Sequence, residues 1–144
     1  GGGVTHGPTN EKDFSKKINK KARAKALAST LSKKFADGEM VFVENFSFDA
    51  PKAKDAKAAV VAIAKGAGVD TLATKRHNAA LVVLSERDEN TEKSFRNFGN
   101  LEVKMVKDIN PVDLLTYKYV VVANPADALE TLQSRVAKVE KAAA

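Results

Sequence analysis

Three short apolar runs punctuate the chain: Met40–Val43 (MVFV), Ala80–Leu84 (ALVVL) and Tyr119–Ala123 (YVVVA). Each is rich in Val and too short for a buried helix. Runs of this kind fit strands covered on both faces of a parallel sheet. A fourth run, Leu101–Val106 (LEVKMV), alternates instead, with Leu101, Val103 and Met105 separated by Glu102 and Lys104. That period of two predicts a half-exposed strand at a sheet edge. Helical spacing fills the intervals. Ala50-Pro51 opens a helix to about Lys65, ended by Gly66 or Gly68. Asn90 is placed to cap a short helix to about Phe98, and Asn110-Pro111 starts a turn of helix through Leu115. Asn124-Pro125 starts the last helix, to about Lys141, with Ala128, Leu129, Leu132, Val136 and Val139 as its apolar stripe. Asp127 and Glu130 sit near its positive end, where acids are favoured.

The first helix is predicted at about Lys20–Ala36, with Asn19 as N-cap, Lys33 and Lys34 in its last turn and Asp37-Gly38 closing it. Ala24, Leu27, Ala28, Leu31 and Phe35 share the face expected to pack on the sheet. Ala22 and Ala26 point away. Lys21 and Lys25 flank them on one side, and Arg23 and Lys34 on the other. Small side chains between two rows of cations let a phosphate backbone approach the helix. The order is α-β-α-β-α-β-α-β-α. With right-handed crossovers it predicts an α/β three-layer sandwich: a mainly parallel central sheet of about four strands, with flanking helices. An extended basic N-terminal arm, residues 1–18, precedes a single globular domain, residues 19–144. No internal repeat or interdomain linker is visible.

Composition narrows the chemistry. The 144 residues are 44% apolar, enough for a core. No apolar run approaches the roughly 18 residues that span a bilayer, and no signal-peptide pattern opens the chain, so no membrane partner is expected. The absence of Cys excludes disulfides, thiolate metal sites and thiol nucleophiles, and fits a reducing, cytoplasmic setting. The two His, His6 and His77, lie far apart in sequence, so no metal site is expected.

Charge changes the picture most. The net charge is +6. Residues 1–38 hold nine Lys or Arg against three acids, and the remaining residues hold fifteen of each, so the whole excess sits in the first quarter. Ser15–Lys25 (SKKINKKARAK) has six cations in eleven residues. Charge runs on helices are usually solvated faces, at roughly even odds from pattern alone. Here no acid lies between residues 14 and 36 to pair at i,i+4, and the cations repel one another unless an anion neutralises them. Both points favour a polyanionic partner. Upstream, GGGVTHGP has no core pattern and suits an arm whose glycines permit close backbone approach.

Catalytic readings are weaker. Gly66–Gly68 is not GxGxxG, the initial GGG is followed by no GK[ST], and no nucleophile elbow exists. Glu86, Asp88 and Glu89 follow the second strand, where doubly wound enzymes place acids. A small α/β enzyme or nucleotide-binding domain built on them is the alternative, against helix-start acids at about four to one. The aromatic platform of an RRM is absent, so any RNA contact should be to phosphate and shape.

GGGVTHGP followed by SKKINKKARAKALASTLS resembles the central segment of large ribosomal subunit protein four, the L-four family, in its bacterial form. The resemblance continues through Asp88–Asn90 (DEN), Ser94, Arg96-Asn97, Asn110, Asp113–Leu115 (DLL) and Tyr117 to the final ALETL helix start, and covers essentially the whole chain. It implies a structural, non-enzymatic protein with no cofactor and no small-molecule substrate. The implied partners are large-subunit (23S-type) rRNA and neighbouring large-subunit proteins, engaged early in assembly. Some members are reported to regulate their own operon through RNA, so an extraribosomal RNA-binding regulator is a further alternative. Family members also carry an N-terminal portion and a long basic loop reaching the peptide exit tunnel. By that resemblance this chain starts at the loop's returning end and is expected to be either a fragment, which the missing Met favours, or an unusually short homologue. The residues expected on rRNA are Gly1, Gly2, Gly3, Thr5, His6 and Gly7 in the arm, then Lys16, Lys17, Asn19, Lys20, Lys21, Arg23 and Lys25. Arg76, His77, Arg96 and Asn97 are secondary candidates.

Overall fold

The computed structural model describes residues 1–137. Its elements are α1 (Lys20–Ala36), β1 (Met40–Val43), α2 (Ala53–Gly66), α3 (Thr71–Thr74), β2 (Ala80–Leu84), α4 (Glu89–Phe95), β3 (Leu101–Met105), a 3-10 turn (Val106–Asp108), α5 (Pro111–Thr116), β4 (Tyr119–Ala123) and α6 (Pro125–Ala137). The four strands form one sheet in the order β1-β4-β2-β3, and every pairing is parallel. The expected α/β sandwich with a parallel four-stranded sheet and flanking helices is therefore the observed architecture. The last-helix positions Val139 and Lys141 lie outside the described residues.

Alternate strand residues divide two cores. Ala80, Val82, Leu84, Tyr119 and Val121 pack with Ala56 and Ala64 of α2, Leu72 of α3 and Phe95 of α4. Leu81, Val83, Val120 and Val122 pack with Leu27 of α1, Val106, Ile109, Leu114 of α5, and Ala128 and Leu132 of α6. β2 and β4 are buried at every position, as continuous apolar runs require in the middle of a parallel sheet. β3 is an edge strand with half-buried Glu102 and Lys104, as its alternation predicts. Lys104 reaches Asp113 of α5 at 2.7 Å and Glu102 at 3.3 Å, and the Tyr117 hydroxyl donates to Glu102 at 2.8 Å.

β1 departs from expectation. MVFV suggests a strand covered on both faces, yet it pairs with β4 alone, and Phe42 is 42% exposed. An edge position removes one neighbour's cover without changing the local sequence. The register of α1 differs too. Leu27, Leu31 and Lys34 turn inward, whereas Phe35, expected in the core, is 67% exposed. Lys34, expected in an outer row of cations, is only 9% exposed. Its ammonium donates to the carbonyls of Tyr117 (2.9 Å) and Lys118 (2.7 Å) and pairs with Glu39 at 2.5 Å. Three acceptors at the amino ends of β1 and β4 thus fix the rotation of the helix. Phe35, Phe42 and Leu129 consequently line a shallow apolar groove between α1 and α6.

The helix ends follow local chemistry. Gly38 (φ 69°) and Gly68 (φ 67°) adopt the left-handed conformation that lets the next amide turn back. The Glu39 amide then bonds the Lys34 carbonyl, and the Val69 amide bonds the Ala64 carbonyl. Gly68, not Gly66, closes α2. That helix begins at Ala53, later than Ala50-Pro51 suggests: Lys52 is its N-cap with an extended backbone (φ −136°, ψ 117°), and the Lys52 amide, which has no partner within the helix, donates to the Ser94 hydroxyl at 3.0 Å. Asp88, not Asn90, caps α4, accepting from the amides of Asn90 (3.1 Å) and Thr91 (3.2 Å) and from the Thr91 hydroxyl. Asn90 instead donates its side-chain amide to the Phe48 carbonyl at 3.0 Å, tying down the segment after β1. α4 ends at Phe95, short of Phe98. The four-residue α3 was not expected, being too short to show a period.

Candidate nucleic-acid interface

Residues 1–19 form no helix or strand, and every side chain among them is exposed. Gly1, Gly2, Gly3, Thr5, His6, Gly7, Lys16 and Lys17 all lie in this segment. Local contacts shape it. Asp13 accepts from the Ser15 amide at 2.8 Å and from its hydroxyl at 2.9 Å, bonds that hold its carboxyl below the usual range. Lys12 lies 5.1 Å from the centre of the Phe14 ring. Asn19 has the extended backbone of an N-cap (φ −64°, ψ 136°), and its carbonyl accepts from the Arg23 amide at 3.1 Å. Its side chain makes no capping bond, contrary to expectation.

Lys20, Lys21, Arg23 and Lys25 are exposed on the first half of α1, with Ala22 and Ala26 exposed between them. Among the described residues, none of these four cations, nor Lys16 or Lys17, forms an ion pair. The first turn holds no acid. Cations at the positive end of a helix dipole oppose stability, whereas Lys33 and Lys34 at the other end favour it. The basic first turn is thus an arrangement that folding alone does not reward.

This half of α1 faces the segment after β3 across a cleft of about 1050 Å³. Lys20, Lys21 and Arg23 line one side, and Lys107, Asp108, Asn110 and Pro111 the other, with Arg135 of α6. The Arg135 guanidinium donates to the carbonyls of Val106 and Ile109, each at 2.8 Å. Burial holds its pKa below the usual arginine value, and the nearby Arg23 charge adds to that, while Asp108 acts the other way. Lys107 and Arg135 were not identified from sequence, since nothing local ties them to α1.

The secondary candidates do not join this group. Arg76 and His77 precede β2, and Arg96 and Asn97 precede β3, so both pairs lie at the amino end of the sheet. The Asn100 side-chain amide links their loops by donating to the Lys75 carbonyl at 2.7 Å. Residues 107–111 follow β3 and lie at the carboxyl end. The candidates at the start of α1 and the four secondary candidates therefore lie at opposite ends of the strands.

Of the acids of the alternative reading, Glu86 and Asp88 line a separate pocket of about 230 Å³ with Asn45, Phe46, Arg87 and Asn124, and Glu89 does not. It is smaller than the range of about 300–1,000 Å³ typical of small-molecule sites. Both Asp88 oxygens are taken by its cap, and Glu89 pairs with Lys93 at 2.5 Å. Hydrogen bonding, led by the Thr91 hydroxyl, holds the Asp88 carboxyl below its ordinary value. Asp88→Ala is expected to cost about 1–2 kcal/mol of stability at pH 7, measured by urea unfolding. Because the folded-state pKa is depressed, this contribution is present above the unfolded value of about 3.9 and is lost as pH falls through the folded one. Wild type and variant should therefore converge in acid. Among the described residues, no three His, Asp or Glu side chains are grouped to hold a metal, and no helix is long and apolar enough to cross a membrane.

The chain belongs to the Ribosomal protein L4/L1 family, whose profile matches residues 1–135. Among its relatives, the large ribosomal subunit protein uL4 of Oceanobacillus iheyensis is 39% identical over 126 residues, covering 88% of this chain and 55% of the relative. That of Desulfotalea psychrophila is 33% identical over 136 residues, covering 94% and 57%. That of Mycoplasma capricolum is 35% identical over 115 residues, covering 80% and 50%. The chain spans about half the length of the curated relatives it matches.

Proposed function

We propose that this chain is a non-catalytic constituent of the large ribosomal subunit, acting in the cytoplasm, that binds large-subunit rRNA through residues 1–18 and the first half of α1. Family membership supports the ribosomal setting. The observation that carries the RNA contact is the first half of α1, where Lys20, Lys21, Arg23 and Lys25 stand exposed with no acid in the first turn. Lys16, Lys17 and these four would neutralise phosphates, while Ala22 and Ala26 leave room for the backbone between them. Gly1–Gly3, Thr5, His6 and Gly7 would follow the RNA as an arm, with Asn19 at its junction with the helix. Arg76, His77, Arg96 and Asn97 would contact RNA or a neighbouring subunit protein at the other end of the sheet. Binding early in subunit assembly follows from such a role, and a place near the exit tunnel would belong to the longer loop of the family.

Sedimentation tests this reading. Purified protein added to subunits lacking it should travel with the large subunit through a moderate salt wash. Recovery only in the free fraction would overturn it.

A further inference from the structure

The cleft beside α1 has more structure than phosphate neutralisation requires. A duplex presents a convex wall of phosphates, for which exposed lysines on a helix suffice. Here the floor is apolar, formed by Leu27 and Ile109, both buried, with Ala24 and Pro111 beside them. Cations from three separate elements surround that floor: Lys20, Lys21 and Arg23 from α1, Lys107 from the 3-10 turn, and Arg135 from α6. Asp108 is the one acid among the lining residues. The volume of about 1050 Å³ has room for a nucleotide.

Arg135 is also organised in advance. Its two carbonyl bonds fix the guanidinium plane in the cleft's lining. A guanidinium so held loses little freedom when its remaining N–H groups meet a phosphate. Asp108 offers an acceptor and Asn110 an amide for polar groups on a base edge, the Asn110 oxygen already being spent on the Asp113 amide at 2.8 Å.

From these features we infer that the cleft takes an unpaired nucleotide of the bound RNA, with Arg23, Lys107 and Arg135 on its phosphate and Leu27, Ile109 and Pro111 against its base. This rests on the RNA-binding reading and adds to it a preference for a flipped-out or bulged nucleotide.

Two RNA hairpins of equal phosphate count test the inference, one a continuous stem and the other carrying a single-nucleotide bulge. The bulged hairpin should bind about tenfold tighter, a gain typical of one well-packed base. Ala24→Leu keeps a good helix former at a half-buried position beside the floor and narrows the cleft. It should abolish the preference while leaving stem affinity within about twofold, since it removes no charge. Lys107→Ala, at an exposed position, should weaken the bulged complex more than the stem complex. Equal affinity for the two hairpins would overturn the inference while leaving RNA binding intact, as would a preference that survives both variants. Failure to bind either hairpin would overturn the RNA reading itself, and this inference with it.

Discussion

Replacing Lys20, Lys21 and Arg23 together with Ala is expected to lower affinity for large-subunit rRNA about 100-fold at 0.1 M salt, on the counterion-release coefficient of about 0.7 per single-strand phosphate contact. Three lost contacts change the exponent on salt by about 2, and one decade below 1 M then gives two decades of affinity. The loss should not come from unfolding. All three side chains are exposed and make no ion pair among the described residues. Ala also improves helix propensity slightly and removes cations from the positive end of α1. The thermal midpoint should therefore stay level or rise while RNA affinity falls. A filter-binding titration and a melting curve on the same preparation separate the two effects.

The second large effect concerns stability. Lys34→Met should destabilise the fold by about 3 kcal/mol, because removing one partner of a nearly buried charged cluster leaves the others desolvated and unpaired. Met retains much of the apolar stem, so the cost reports the ammonium and not a cavity. The carbonyls of Tyr117 and Lys118 would lose their shared donor, and Glu39 its counter-ion. For a chain of this size the melting temperature should drop by roughly 6–12 °C. Lys33→Met is the control. Lys33 pairs with Asp37 at 2.7 Å, but its side chain is 76% exposed, and exposed pairs contribute little. A similar loss in both variants would mean that the Lys34 cluster does not fix α1 on the sheet.

These two lysines show where the sequence was informative and where it was not. Continuous apolar runs identified three strands, because a parallel sheet covered by helices requires them, and alternation identified the fourth. Which run lay at an edge was legible only for β3, whose pattern alternates. MVFV looks like a central strand, and its edge position follows from crossovers between distant elements. The α1 boundaries were legible from Asn19 and Gly38, but the rotation of the helix was not. Ala24, Leu27, Ala28, Leu31 and Phe35 form a plausible stripe, and the acceptors that draw Lys34 inward lie 83 and 84 residues away. Asp88 and Asn90 are both good caps two residues apart. The choice between them depended on a remote carbonyl, that of Phe48, which engages Asn90.

The candidate interface shows the same division. Charge asymmetry located the basic helix, since an excess confined to one stretch is a property of sequence. The cleft was invisible because Lys107 and Arg135 reach it only through packing. The family motifs also contain residues with structural roles. Asp88 and Asn110 cap helices, Ser94 holds the Lys52 amide, Asp113 pairs with Lys104, and Tyr117 bonds Glu102. Arg96 and Asn97, by contrast, are exposed and available for a partner.

Salt dependence is the most direct test of the central claim, that exposed cations of the arm and α1 neutralise RNA phosphates. Binding to a large-subunit rRNA fragment should follow a log–log slope of about −4 between 0.05 and 0.3 M monovalent salt, for six contacts at the single-strand coefficient. The Lys20, Lys21 and Arg23 triple variant should reduce that slope to about −2. A slope near zero, or one that the triple variant leaves unchanged, would contradict the account.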